Sequence, residues 1–419
     1  MLQKSTLNNG IRVVTERMPG LHSATVGFWV QNGSRHEVTN LNGISHFIEH
    51  MLFKGTTSRS SLQIAKQIDS VGGVLNAFTG REFSCYFAKV LGDKLPQAVS
   101  LLSDLVLNST FEPKEIEKER RVILQEISMV EDTPDDQVHD LFCKSIWNSH
   151  PLGRPVLGDC ETVSSITRND LLQMLADRYR GDNILIVAAG NLQHKEILGQ
   201  IEQAFSCVKP GGAERLCTLP QYRPGIQVTA KNLEQIHFCL GSKALPQNHN
   251  DRFVLHLLNS ILGGSMSSRL FQTIREERAL AYSIYSYLNT HSDAGSLVVY
   301  GGTRPDDLPE TLELILQQFS RLKNEYISHE ELYMAREQMK GTLLLSLESS
   351  DNRMTRLAKN EIFLGYQPDI EDVIAEIDKV TIESVQRLAD LLLSDESLNL
   401  HIVGPANHQQ FPLSLLEIP

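Results

Sequence analysis

The sequence predicts an α+β protein made of two related halves, and three observations carry that expectation. The first is length: 419 residues exceed what one hydrophobic core usually serves. The second is a repeated order of elements. Ile166-Thr167-Arg168-Asn169-Asp170-Leu171-Leu172 reads as a capped helix start, and it leads to an apolar, turn-ended strand over 182–191. Near the end the order recurs: Val380-Thr381-Ile382-Glu383-Ser384-Val385, a helix, then the strand-like run 398–405. The third is a linker-like stretch, Val208-Lys209-Pro210-Gly211-Gly212-Ala213, followed by Pro220 and Pro224. The chain is therefore divided into 1–210 and 222–419. Two copies point to duplication of one unit and not to a solenoid.

Within each half a strand precedes a helix that opens on a Leu-Pro pair. In the first half the strand is Cys85-Tyr86-Phe87-Ala88-Lys89-Val90 and the opening is Asp93-Lys94-Leu95-Pro96. In the second they are Ser296-Leu297-Val298-Val299-Tyr300 and Asp307-Leu308-Pro309. Hydrophobic residues make up 41% and charged residues 21%, enough apolar content for packed cores and unlike a disordered chain.

The formal net charge of -12 argues against a general nucleic-acid binder, which needs a basic stripe, and is compatible with cationic peptide partners. Six cysteines, at 85, 143, 160, 207, 217 and 239, include no C-x-x-C pair, so neither a zinc ribbon nor a disulfide framework is indicated and reduced thiols are expected. The start, Met1-Leu2-Gln3-Lys4-Ser5, carries no apolar signal segment and no Arg-rich transit segment, and no apolar run is long enough to span a bilayer. A bacterial cytoplasmic protein with no membrane association is the expectation.

The chemistry concentrates in Gly43-Ile44-Ser45-His46-Phe47-Ile48-Glu49-His50-Met51-Leu52-Phe53-Lys54-Gly55-Thr56. Apolar Ile44, Phe47, Ile48, Met51 and Leu52 recur with helical spacing, which predicts a mostly buried helix. On it His46 and His50 stand at i and i+4, one turn apart on one face, as two imidazoles sharing a metal require. Glu49 projects beside that face, placed to reach a water as general base without being a ligand. The pattern is H-x-x-E-H, the inverse of the commoner H-E-x-x-H zinc-peptidase motif. The bland alternative is two unrelated histidines on a core helix. It would bury three ionisable groups among apolar neighbours without partners, which is costly.

A catalytic zinc site needs a third protein ligand and one open position. The helix-like run Glu115–Ile127 has an apolar stripe at Ile116, Ile123, Ile127 and Val130, and Glu119 and Glu126, seven apart, lie close to it. By spacing alone these glutamates fit a solvated helix face equally well.

The run His46–Thr56, followed by Val122-Ile123-Leu124-Gln125-Glu126-Ile127, closely resembles the pitrilysin/insulinase family of zinc peptidases, nearest its mitochondrial-processing-peptidase-like bacterial branch. The resemblance extends from Leu7-Asn8-Asn9-Gly10-Ile11 to His401-Ile402-Val403-Gly404. It implies Glu126 as the third ligand of one zinc ion per chain and Glu119 as the residue that orients the site. It implies that each half is a sheet with packed helices and that the two halves face each other around a peptide-binding chamber. Residues 1–210 would then be the zinc-binding catalytic domain, and 222–419 a homologous domain without the metal site.

In Ser268-Arg269-Leu270-Phe271-Gln272-Thr273-Ile274-Arg275-Glu276-Glu277-Arg278-Ala279-Leu280-Ala281-Tyr282, the resemblance assigns Arg275 and Tyr282 to substrate binding and to steadying the oxyanion. In Gly72-Gly73-Val74-Leu75-Asn76-Ala77-Phe78-Thr79 it implies an edge strand that receives the substrate as an added strand, with Asn76, Ala77 and Phe78 as the matching positions. The expected activity is a zinc metalloendopeptidase hydrolysing peptides or unfolded, presequence-like segments by Glu49-assisted attack of zinc-bound water. A homodimer is the expected assembly. The alternative is a non-catalytic structural subunit of the same fold.

Overall fold

In the computed structural model the described residues are 1–212, 218–407 and 411–419. Ala213 of the expected linker and Cys217 lie outside them. The described chain is α+β and divides into two compact units.

The first unit holds a six-stranded sheet of β1 (Leu2–Thr6), β2 (Arg12–Arg17), β3 (Ser23–Val30), β4 (Val74–Thr79), β5 (Ser84–Leu91) and β6 (Ile184–Gly190). Its spatial order is β1-β2-β6-β3-β5-β4. β2 runs parallel to β6, and every other neighbouring pair is antiparallel. The second unit holds β7 (Gly225–Ala230), β8 (Ile236–Ala244), β9 (Ala281–Thr290), β10 (Gly295–Thr303) and β11 (Asn399–Gly404), in the order β7-β11-β8-β10-β9. Here β7 and β11 are the parallel pair, and the remainder are antiparallel. The second sheet therefore repeats the arrangement β2-β6-β3-β5-β4 strand for strand, which is the duplication expected from the sequence. A glycine closes the equivalent strand in each copy. Gly190 and Gly404 both take positive φ, and a Cβ on Gly190 would come within 2.4 Å of the Ser23 carbonyl oxygen.

Central strands of both sheets are apolar on both faces: every residue of β6 and of β10 is buried. Such strands read as continuous hydrophobic runs because each face needs its own cover. In the first unit one face packs with helices Ile44–Leu52, Leu95–Asn108 and Pro113–Asp132 into a large core that includes Phe28, Phe47, Ile48, Leu102 and Ile123. The other face, with Val14, Trp29, Leu185 and Val187, is covered by Met354, Leu357 and Ala358 of helix Ser350–Phe363. The second unit repeats the plan. Helices Arg252–Leu262, Leu308–Asn324 and Ile382–Leu392 cover one face, and helix Pro134–Trp147 brings Val138, Phe142 and Ile146 against Cys239, Val298 and Val403 on the other.

The compact units are consequently discontinuous in sequence. The first includes Leu344–Gln367 and the second includes Val130–Gly153, so the two sequence halves exchange one covering helix each. Neither sheet draws both of its helical covers from one side of the 208–222 division that composition suggests.

Helix 350–363 is tied down by specific polar contacts as well. Arg353 holds Glu16 through two hydrogen bonds of 2.7 and 2.6 Å, and Thr25 Oγ1 lies 2.8 Å from Ser350 Oγ. The indole of Trp29 donates to Met354 Sδ at 3.2 Å. In the second unit His401, on β11, is buried between Ser145 Oγ and Thr229 Oγ1, each at 3.0 Å, and burial pushes its imidazole down to about 4.

Two outcomes follow from this packing. Met354→Ala is expected to destabilise the protein by about 2–5 kcal/mol, as a cavity in a close-packed core does, read as a lowered midpoint in chemical denaturation. Between about pH 6.5 and 4 the unfolded state binds a proton that folded His401 refuses, so its contribution is present above pH 6.5 and lost on acidification through that window. Denaturation at pH 7 and at pH 4.5 is expected to show a smaller acid-induced loss in His401→Gln than in the parent chain.

Candidate metal centre

Helix 44–52 is short, and its N-terminus is held by a residue outside the motif. Glu37 is 4% exposed, and its carboxylate accepts hydrogen bonds from the backbone N–H of Gly43 and of Ser45 and from Asn42 Nδ2, each at 2.8 Å. A carboxylate there satisfies orphan donors and faces the positive end of the helix. Burial raises the Glu37 carboxyl above the ordinary range, and these donors oppose that rise. Gly43 enters the helix at φ 93, a conformation suited to glycine. The apolar face of Ile44, Phe47, Ile48, Met51 and Leu52, at most 1% exposed, then fixes the helix against the core.

This anchoring turns His46 and His50 toward Glu126 of helix 113–132. His46 Nε2 lies 3.8 Å and His50 Nε2 3.5 Å from Glu126 Oε2, and one donor atom from each of the three residues falls within 4.8 Å of the others. Ligands about 2.1 Å from a tetrahedral ion sit roughly 3.4 Å apart, so the two spacings to Glu126 are near those of a loaded site. Two imidazoles and a carboxylate form the donor set of a catalytic zinc site, and the residues present fit the ion. Burial pushes His46 down to about 4, with His50 adding to the effect, which keeps its imidazole neutral as a ligand must be. Glu126 is 37% exposed at its side chain, leaving one side of the set open. Among the described residues no other group of this kind occurs, in the second unit or elsewhere.

Glu119 is 5% exposed and occupies the position behind His50. Its Oε2 lies 3.1 Å from His50 Nδ1, and its Oε1 is 2.8 Å from Lys54 Nζ. The carboxylate selects the tautomer with the proton on Nδ1 and leaves the Nε2 lone pair directed at the ligand cluster. Lys54 was not singled out in the sequence, although it stands four residues after His50, one turn further along the same face. Glu37 had no such signal. His46 Nδ1, by contrast, is buried with no hydrogen-bond partner among the described residues.

Glu49 is not in the ligand cluster. Its carboxylate is half-buried and accepts a hydrogen bond from the Thr79 hydroxyl on β4. Burial raises it above the ordinary carboxylate range, while the Thr79 bond and the neighbouring His50 oppose the rise. A carboxyl shifted in this direction is suited to exchanging protons near neutral pH.

β4 forms one edge of the first sheet and pairs only with β5. The Gly80 N–H donates to Phe83 O at 2.8 Å, closing the hairpin. The alternation of an antiparallel ladder then assigns the bonds to β5 to Phe78 and Asn76. The backbone groups of Leu75, Ala77 and Thr79 face the open edge. Consistent with this, the Ala77 N–H bonds to Asn76 Oδ1 at 2.8 Å and not to β5. Of the three expected substrate positions, Ala77 thus directs its backbone toward the open edge, with its N–H held by the Asn76 side chain, while the backbones of Asn76 and Phe78 are used within the sheet. The Phe78 ring packs with Trp29, Phe83 and Phe87, on the face opposite Thr79 and Glu49.

In the second unit Arg275 and Tyr282 come together. The Arg275 guanidinium lies 4.7 Å from the ring centroids of both Phe271 and Tyr282, a cation held between two aromatic faces. Phe271–Glu277 is a π-helical turn, a form that recurs at functional positions. Tyr282 is 82% exposed and its hydroxyl is open to solvent.

Residues 12–160 match the insulinase family (peptidase family M16), and residues 165–339 match the peptidase M16 inactive domain. A protein of Bacillus subtilis named an uncharacterized zinc protease is 41% identical over 408 residues, covering 97% of this chain and 99% of the relative. A crystal structure of a protease from Helicobacter pylori superposes with a TM-score of 0.90 at 21% identity, covering 97% of this chain and 99% of that one. A chain of complex III2 from Candida albicans superposes with a TM-score of 0.85 at 20% identity, covering 99% of each. The two structural likenesses concern the fold alone.

Glu119→Gln keeps the shape but weakens the acceptor for the His50 proton. It is expected to lower zinc affinity by about 10–100-fold, measured by competition with a chromogenic chelator.

Proposed function

We propose that this chain, which belongs to the insulinase family of peptidases (family M16), is a zinc metalloendopeptidase that cleaves peptides or unfolded segments docked in extended form. The observation that carries this reading is the convergence of His46 Nε2, His50 Nε2 and Glu126 Oε2 beside a non-ligating, half-buried Glu49. The zinc proteases among its relatives support the choice of metal.

His46, His50 and Glu126 would hold the ion, with Glu119 and Lys54 orienting His50. When bound, zinc acidifies water and polarises a carbonyl, which is the chemistry that peptide hydrolysis needs. Glu49 is the proton carrier in this reading. It accepts a proton from the attacking water and delivers it to the leaving amine, with the Thr79 hydroxyl holding its other oxygen. The open edge of β4 offers the N–H and C=O groups of Leu75 and Thr79 and the C=O of Ala77 to a peptide backbone, and the Ala77 N–H once it exchanges its bond to Asn76 Oδ1. Recognition through main-chain bonds is tolerant of side-chain sequence. Arg275 and Tyr282 are assigned, on the family resemblance, to binding the substrate and the developing oxyanion.

The alternative of a non-catalytic subunit draws on the shared fold of the complex III2 chain. Against it stands the complete set of His46, Glu49, His50, Glu119 and Glu126. A homodimer remains part of the proposal, as does action on presequence-like segments.

Purified protein is expected to cleave unstructured peptides. Glu49→Gln is expected to keep its zinc and lose about 10²–10⁴-fold in kcat, with metal content read by elemental analysis on the same samples. Equal cleavage by parent and variant would falsify the assignment of Glu49. Light scattering at micromolar concentration is expected to give the mass of two chains, and a monomer would remove the dimer from the proposal.

A further inference from the structure

Thr79 combines two properties found together in no other residue of β4. Its backbone N–H and C=O belong to the set that faces the open edge, with those of Leu75 and Ala77. Its side chain is on the opposite strand face from the Phe78 ring, and its hydroxyl donates to Glu49. Ser84 is 1% exposed, and its Oγ lies 3.4 Å from Thr79 Oγ1 and donates to Asn32 O at 3.1 Å. The single Thr79 hydroxyl hydrogen has the Glu49 carboxylate as its acceptor.

We propose that Thr79 is a positioning residue that couples strand addition to the general base. The residue whose backbone would pair with the incoming peptide also holds the carboxylate that works on it. This rests on the peptidase reading given above. The register of the docked strand and the orientation of Glu49 then share one rigid element, so the distance from base to scissile bond does not depend on a mobile loop. Productive substrates are extended segments able to form backbone bonds at residue 79. Segments that bind elsewhere along the edge are held but poorly cleaved.

The test uses the zinc-loaded full chain as parent, Thr79→Val, Thr79→Ser and Glu49→Gln. Valine keeps the shape and removes the donor; serine restores it. Thr79→Val is expected to retain its zinc, hold KM within about twofold and lose roughly 10–100-fold in kcat, the scale of a misplaced catalytic group. Thr79→Ser is expected to recover kcat to within about threefold of the parent. Crystal structures of both variants are expected to show the Glu49 carboxylate displaced with valine and restored with serine.

A purely structural role would instead raise KM and lower the thermal midpoint in both variants. Unchanged kcat with Glu49 in place in Thr79→Val overturns the proposal. If the parent and Glu49→Gln are alike in cleaving nothing, the peptidase reading fails. The crystallographic position of Glu49 in Thr79→Val still decides whether Thr79 holds it: an undisplaced carboxylate overturns the coupling, and a displaced one sustains it.

Discussion

Sheets that are apolar on both faces must be covered twice, and this chain meets the requirement by exchanging helices between its sequence halves. β6 and β10 expose no residue on either side. Each sheet takes one cover from the helices of its own half. The second cover is helix 350–363 for the first sheet and helix 134–147 for the second. Burial of such surface is worth roughly 25 cal/mol per Å² of apolar area, so an uncovered face would be a large unsatisfied term for either unit. The exchange makes each unit's stability depend on chain from both halves. It also explains why a sheet of such uniform hydrophobicity does not leave a sticky surface.

The metal centre depends on that packed frame. Helix 44–52 has only nine residues, too few for an isolated helix to persist in water. Its core face and the Glu37 carboxylate at its N-terminus hold it. Once it is held, three polar side chains on one short helix acquire different environments. His46 is kept neutral by burial, His50 has its tautomer chosen by Glu119, and Glu49 points past both to Thr79. The carboxylates differ in the same way. Glu119 is buried against Lys54 and His50, whereas Glu126, two turns on along the same helix, remains partly open. Position along a helix chooses the face, and burial chooses the role.

The two edge strands show how far a duplicated frame can diverge. β4 carries a free edge whose open backbone groups belong to Leu75, Ala77 and Thr79, next to the carboxylate of Glu49. β9 occupies the equivalent place in the second sheet, and there the preceding π-helical turn stacks Arg275 against Tyr282. The same strand order supports a donor cluster in one copy and a cation–aromatic pair in the other. Function resides in what the frame presents, not in the frame.

Much of this was legible in the amino-acid order because it is local. The spacing of His46, Glu49 and His50 is a property of the helical turn, and so is the shared face of Glu119 and Glu126 seven residues apart. The doubled element order likewise showed in the placement of strands, prolines and caps, and the sheets repeat it. Other features were settled only in three dimensions. A carboxylate at 37 reaches the metal helix because the chain turns back on it, and no spacing rule announces such a contact. The open backbone groups of β4 lie on the odd residues because the hairpin closes at Gly80 and Phe83, a register that shifts every assignment by one if the turn shifts by one. Helix 134–147 and helix 350–363 each lie within the sequence half whose sheet they do not cover. Which sheet each would cover was decided by where uncovered apolar surface lay after folding. Short-range geometry is written in neighbouring residues, whereas the partner of a hydrophobic face is chosen by non-directional burial across the whole chain.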